Sequence, residues 1–328
     1  MTLGRTRVEC LGVTFRNPVL LAAGTCGFGR ELMDVVALSA LGGIVTKSVT
    51  MEPRAGNPPP RVVEWSEGML NSVGLANPGV ERVRVEHLPW IRDNLAGLQV
   101  LVSVAGHREE EYAQVVALLD DQEGFLGYEL NLSCPNDQDL AGAPFALDER
   151  ALVRVVSAVR RATQRPVVVK LAPNAPDLPR AACAAVEAGA DGITLVNTMP
   201  ALVFQGDSGQ PALGAGPGGM SGPALRPVGL EAVRRVRAAV TVPVFGVGGI
   251  VGPMDARDYL RAGADLIQIG TATFADPRTA ERIALSLAQS GIPTRMPAIE
   301  IASTDGPDRV SADAPDQVSA VDMDRGVA

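Results

Sequence analysis

Aromatic side chains are scarce in this chain, at 4% of 328 residues, although 46% of the residues are apolar. That balance argues against a β-sandwich and for an aliphatic α/β core. Histidine is nearly missing: His87 and His107 are the two present. The four cysteines (Cys10, Cys26, Cys134 and Cys183) form no CxxC pair. A zinc or iron–sulfur site carried by this chain alone is therefore not expected, and no metal is assigned. A basic excess is lacking too, since the formal net charge is -8, which argues against general nucleic-acid binding. No apolar run is long enough to span a bilayer, and Met1-Thr-Leu-Gly-Arg-Thr-Arg7 lacks the apolar centre of a signal peptide. A cytoplasmic protein with reduced thiols and no membrane contact is the expectation. None of these absences excludes a small phosphate-bearing ligand, because glycine-rich loops and helix N-termini bind anions locally.

What is present is a repeat. Short runs rich in Val, Ile and Leu occur at residues 19–23, 43–47, 99–105, 127–132, 166–171, 192–197, 243–248 and 265–270. Continuous apolar runs of this kind mark parallel strands covered on both faces. Helix-like stretches lie between and after them, at 31–41, 80–95, 109–119, 148–162, 177–188, 227–239, 254–262 and 277–289. Eight strand–helix units over about 250 residues are the count of a (β/α)8 TIM barrel. A doubly wound sheet is the alternative, but its Gly-x-Gly-x-x-Gly turn is matched only poorly by Gly24-Thr-Cys-Gly-Phe-Gly29. Two connections, 48–79 and 198–226, are long and rich in glycine or proline, as expected for loops over the C-terminal face of a barrel. The division expected is a single barrel over residues 1–300 and a disordered acidic tail over 303–328.

Polar residues gather where the strands should end. Lys47 follows the second run, Asn131 and Cys134 the fourth and Asn197 the sixth, while Lys170 sits in Val167-Val-Val-Lys-Leu171. A lysine in such a strand points into the barrel or at a ligand, or else pairs with an inward carboxylate such as Glu129. In Asn131-Leu-Ser-Cys-Pro-Asn136 the proline turns the chain, the thiol can exchange a proton, and the carboxamides can hold a planar polar ring by its edges. Gly246-Val-Gly-Gly-Ile250 and Gly270-Thr-Ala-Thr273 follow the seventh and eighth strands, the usual phosphate position of this fold. A phosphate site beside a lysine suggests FMN, with the positive charge stabilising the reduced ring. In Asn71-Ser-Val-Gly-Leu-Ala-Asn77 a glycine turn offers backbone N–H groups to a carboxylate, or is an ordinary Asx turn.

Together these motifs resemble dihydroorotate dehydrogenase. The resemblance rests on Asn71-Ser-Val-Gly-Leu-Ala-Asn-Pro-Gly79, Asn131-Leu-Ser-Cys-Pro-Asn136, the Lys170 strand, Asn197-Thr198, Gly218-Gly-Met-Ser-Gly-Pro-Ala224 and the two glycine loops, and it runs in order over about residues 13–285. Cysteine at position 134 looks like the soluble class. The wording from Gln210 to Val228 looks most like the NAD-linked type, whose catalytic chain pairs with a subunit carrying FAD and an iron–sulfur cluster. The resemblance implies FMN-dependent oxidation of (S)-dihydroorotate to orotate in pyrimidine (UMP) synthesis. It makes Cys134 the base that takes the C5 proton, with the C6 hydride passing to flavin N5. It places Lys170 by flavin N1 and Lys47 between substrate and flavin. Asn71, Asn131, Asn136, Asn197 and Thr198 would bind the pyrimidine ring, and the Val73, Gly74 and Leu75 backbone its carboxylate. FMN would meet Ala23, Gly24, Lys47, Ser48, Asn131 and Lys170, then Val196, Gly222, Gly248, Gly249, Gly270 and Thr271. A homodimer, or a heterotetramer with the partner subunit, is implied as well.

Two stretches depart from the family wording: the acidic Asp137-Gln-Asp-Leu-Ala-Gly142 and Met199-Pro-Ala-Leu-Val-Phe204. Three other readings stand beside this one. They are a related FMN pyrimidine oxidoreductase, a barrel lyase using Lys170 as a Schiff-base amine, and a flavin-binding barrel without catalysis.

Overall fold

In the computed structural model, residues 6–132 and 145–295 are described. Eight parallel strands close into a barrel: β3 (Val19–Leu21), β4 (Gly43–Val45), β7 (Gln99–Val104), β8 (Gly127–Asn131), β9 (Val167–Leu171), β10 (Gly192–Leu195), β13 (Val244–Val247) and β14 (Leu266–Ile269). They pair in chain order, and β14 returns to β3. Each coincides with one of the eight apolar runs, so the doubly wound alternative falls away. The barrel belongs to one compact unit, Met1–Met296; the expected 303–328 tail lies outside the described residues.

The helices that follow the strands are α1 (Val80–Arg82), α2 (Leu88–Asn94), α3 (Glu109–Leu119), α4 (Glu149–Ala162), α5 (Leu178–Glu187), α6 (Arg226–Ala239), α7 (Pro253–Ala262), α8 (Ala272–Ala275) and α9 (Thr279–Ser290). A π-helical turn over Val83–His87 joins α1 to α2. Local chemistry starts several of them. Asp148 caps α4 by accepting from the N–H groups of Arg150 and Ala151, and Asp177 caps α5 through Arg180 N–H. Gly263 ends α7 in the left-handed conformation.

One expected helix is absent. Residues 31–41 form two 3-10 turns, Arg30–Leu32 and Leu38–Ala40. Ala37 leaves the helical region (φ -73°, ψ 79°) so that Val36, Leu38 and Leu41 can all reach the core. Packing overrides a modest helical preference there.

The two long connections also differ from the expected loops. They pair with each other as an antiparallel sheet in the order β11 (Met199–Ala201), β12 (Gly218–Ser221), β6 (Gly68–Asn71), β5 (Val62–Trp65). At the other end of the barrel a hairpin, β1 (Val8–Cys10) with β2 (Val13–Phe15), plugs the floor. Cys10 and Phe15 pack there on Leu20, Val45, Leu101, Val168, Phe245 and Leu266. These six come one from each of six barrel strands and form an apolar layer inside the barrel. Strand side chains alternate with a period of two. On β8, β9 and β14 the polar residues Glu129, Lys170 and Gln268 are therefore buried inside the barrel, with Thr194 of β10 among them. The interior is thus dry and apolar at the floor and polar toward the mouth.

Candidate active site

A cavity of about 470 Å³ opens at the C-terminal ends of the strands, roofed by the β5–β6 hairpin and β12. The first two βα connections supply Ala23 and Gly24 after β3, Lys47 and Ser48 after β4, and, further along the second, Asn71 at the end of β6 with Val73, Gly74 and Leu75 after it. Asn131 ends β8, Lys170 rises from β9, and Val196, Asn197 and Thr198 follow β10. Gly222, Gly248, Gly249, Gly270 and Thr271 line the far end. Every site residue expected from the sequence borders this one cavity except Cys134 and Asn136, which lie outside the described residues.

The carboxamides form a chain. Asn197 Nδ2 donates to Asn131 Oδ1 at 3.1 Å, and Asn131 Nδ2 donates to Ser48 Oγ at 3.3 Å. Ser48 Oγ lies 2.8 Å from Ser103 Oγ. Tyr112 O–H donates to the Asn131 carbonyl at 2.9 Å, which fixes the strand end from the helix layer. Asn71 Nδ2 donates to the Gly219 carbonyl at 3.2 Å, tying β6 to β12. Lys47 is held through its own N–H to the Gly27 carbonyl at 2.7 Å, and its ammonium passes beside Gly24.

The glycine turn after β6 is built by two residues the sequence reading did not assign. Asn57 N–H donates to the Val73 carbonyl at 3.0 Å, and Arg54 Nε donates to the Gly74 carbonyl at 3.2 Å. A trans peptide directs its N–H opposite to its carbonyl, so the Gly74 and Leu75 N–H groups face away from those anchors. Gly74 (φ 69°) and Leu75 (φ 55°) both take positive φ, so the chain turns tightly at the cavity edge. Asn77 holds the turn from below: its Oδ1 accepts from Thr50 and Gly79 N–H, and its Nδ2 donates to Thr50 Oγ1 and the Leu75 carbonyl.

Lys170 Nζ lies 3.8 Å from Glu129 Oε1, so the inward carboxylate proposed as its partner is present. Glu129 is fully buried, and its Oε2 accepts from Thr194 Oγ1 at 2.8 Å and Gln268 Nε2 at 2.6 Å.

At the far end three loops crowd together. A Cβ on Gly249 (φ 67°) would come within 2.8 Å of the Gly222 carbonyl, and one on Gly222 (φ 98°) within 2.8 Å of the Gly68 Cα. Only glycine permits this approach. Buried Asp255 ties the loop after β13 to α7 by accepting from Val251 and Gly252 N–H, both at 3.0 Å, and pairs with Arg226 of α6. Thr271 Oγ1 donates to Ser221 Oγ at 2.8 Å across the cavity wall.

These features suit a flavin mononucleotide. The far loops offer backbone N–H groups and hydroxyls to a phosphate, and the strand ends offer carboxamides and a lysine to a planar ring. The Trp65 indole N–H is buried at the cavity edge with no acceptor among the described residues, as expected of a donor awaiting a ligand. Trp65, Ser221, Thr25 and Phe274 line the cavity but were not foreseen. Ser221 adjoins a motif glycine and could have been found that way. Trp65, one of two tryptophans, lies on a hairpin that reads as loop from the sequence. Among the described residues no group of three or more His, Cys, Asp or Glu is placed to hold a metal ion, and no helix is long and apolar enough to cross a membrane.

The fold is thus a (β/α)8 barrel, and the cavity at its mouth suits a phosphate at one end and a planar polar ring at the other. The family described as dihydroorotate dehydrogenase matches residues 5–290. The catalytic subunit of dihydroorotate dehydrogenase B (NAD+) from Geotalea daltonii is 42% identical over 87% of this chain and 94% of its own length. Its counterpart from Geobacter sulfurreducens is 43% identical over 87% and 94%. A provisionally named dihydroorotate dehydrogenase A (fumarate) from Solibacter usitatus is 46% identical over 84% and 90%. The chain belongs to the dihydroorotate dehydrogenase family of oxidoreductases. Family membership sets aside the Schiff-base lyase reading and implies a flavin.

Proposed function

We propose that this protein oxidises (S)-dihydroorotate to orotate in pyrimidine (UMP) synthesis, with FMN bound in the barrel mouth. The single observation that carries the reading is the convergence of the carboxamides, two lysines and glycine cradle on one cavity, in a chain of this family. FMN, when bound, supplies the acceptor for the C6 hydride. The residues of the chain do the rest. Asn71, Asn131, Asn197 and Thr198, with Asn136, hold the ring edges, and the Val73–Leu75 backbone receives the carboxylate. Cys134 takes the C5 proton, a role that suits a thiol because it can exchange a proton near neutral pH. Lys170 places positive charge where negative charge develops. Lys47 stands beside Gly24, between the ring site and the cofactor wall. Gly222, Gly248, Gly249, Gly270 and Thr271 cradle the phosphate. Ala23, Ser48 and Val196 complete the cofactor wall.

The NAD-linked relatives are named as catalytic subunits, which supports a separate electron-transfer subunit; the family resemblance alone implies FAD and an iron–sulfur cluster on it, in a heterotetramer built on a homodimer of this chain. The relative named for fumarate supports a second reading of the acceptor, in which fumarate takes the electrons. The test is orotate formation by the purified chain with dihydroorotate and an artificial dye acceptor. Orotate is expected; none with flavin-loaded protein overturns the proposal.

A further inference from the structure

We propose that Glu129 is a positioning residue that sets how much positive charge Lys170 presents to the flavin. The inference rests on the reading of the cavity as a flavin site and adds to it a residue that does not touch the cavity.

A carboxylate inside a barrel is costly, and the layer beneath it is wholly apolar. Its geometry shows what compensates it. Thr194 from β10 and Gln268 from β14 both reach Oε2. An ionised carboxylate only accepts, so the Gln268 amide must present its N–H there. The carboxylate is therefore clamped by two strands on one side. Its other oxygen, Oε1, is buried and accepts no hydrogen bond among the described residues. What faces Oε1 is Lys170 Nζ, at 3.8 Å.

That separation decides the role. A closed ion pair would sit at about 2.8 Å and use an ammonium N–H on the carboxylate. At 3.8 Å the hydrogen bond is missing, but the charge interaction remains strong in a buried site. Lys170, which borders the cavity, is thus balanced from behind by a fixed negative charge rather than bound by it. A cation beside the flavin favours the reduced ring, and Glu129 subtracts from that cation. The clamp on Oε2 keeps the subtraction constant by preventing the carboxylate from closing on the lysine.

The test is a double-mutant cycle read on the flavin-loaded protein and on the apoprotein. In Glu129→Gln the midpoint potential of bound FMN should move to a more positive value. In a Lys170→Met background the buried carboxylate loses its counter-charge and takes up a proton, so the same change should leave the potential where it is. No shift in Glu129→Gln, a shift to a more negative value, or an equal shift without Lys170 overturns the proposal. Thermal unfolding of the apoproteins gives the second readout. Lys170→Met strands a buried carboxylate and should melt lower, and Glu129→Gln/Lys170→Met should melt higher than Lys170→Met alone. A double variant no more stable than Lys170→Met overturns the pairing even if Glu129→Gln does not fold. If wild-type protein binds no FMN, the flavin reading fails by itself, while the apoprotein cycle still reports on the pair.

Discussion

At the scale of single residues the thiols separate by environment. Burial pushes Cys10 and Cys26 up to about 12 from an ordinary thiol value of 9.0. At pH 8 both should resist iodoacetamide in the native protein, and labelling of either at the rate of an exposed thiol would contradict their placement. The same shifts set a pH dependence. The folded state holds these protons more tightly than the unfolded chain, so stability is intact below about pH 9 and is lost as pH rises toward about 12. Buried Tyr128 and Tyr259, also pushed up by desolvation, act in the same direction. The melting temperature should therefore fall between pH 8 and pH 10.5; a flat profile would contradict this. Cys134→Ala should retain FMN and lose turnover by about 10²- to 10⁴-fold, and near-normal turnover would remove Cys134 from the role of base. Lys170→Ala should slow flavin reduction in stopped flow. Lys47, Lys170, Asn71, Asn131 and Asn197 were legible as lining one cavity because polar residues stood at the ends of apolar runs or in the loop motif after them; Cys134 and Asn136 lie outside the described residues. Glu129 was legible only as a possible partner, because its clamp comes from β10 and β14, far away in sequence.

At the scale of elements the barrel strands were legible because both of their faces are covered, which writes continuous apolar runs into the chain. The antiparallel roof was not. Gly219 of β12 pairs with Asn71 of β6, almost 150 residues earlier, and strands of three or four residues carrying Gly218, Gly219 and Pro200 leave no local period. Residues 31–41 misled for the opposite reason, because a helical composition yielded to burial of Val36, Leu38 and Leu41. The element that most directly shapes the phosphate end is the loop from β13 into α7, held by Asp255. Asp255→Ala should release that loop and unpair Arg226. A weakening of FMN affinity by about tenfold or more is expected, measured by fluorescence titration of the apoprotein. It corresponds to roughly 1.4 kcal/mol, the scale of one charge-assisted hydrogen bond. Unchanged affinity would show that the cradle stands without this tie.

For the whole molecule the open choice is where the electrons go. NAD-linked and fumarate-linked relatives match this chain at comparable identity. The NAD-linked reading predicts poor NAD reduction by the purified chain and fast reduction once an FAD and iron–sulfur partner is added. Fast fumarate reduction by the chain alone would decide for the second reading. Both share one claim, that dihydroorotate delivers its hydride to FMN in this barrel. The measurement that tests it most directly is the visible spectrum of the purified protein, before and after dihydroorotate is added without oxygen. The account predicts a yellow protein whose flavin band bleaches as orotate appears. A flavin-loaded protein whose band stays unchanged under excess dihydroorotate would contradict it.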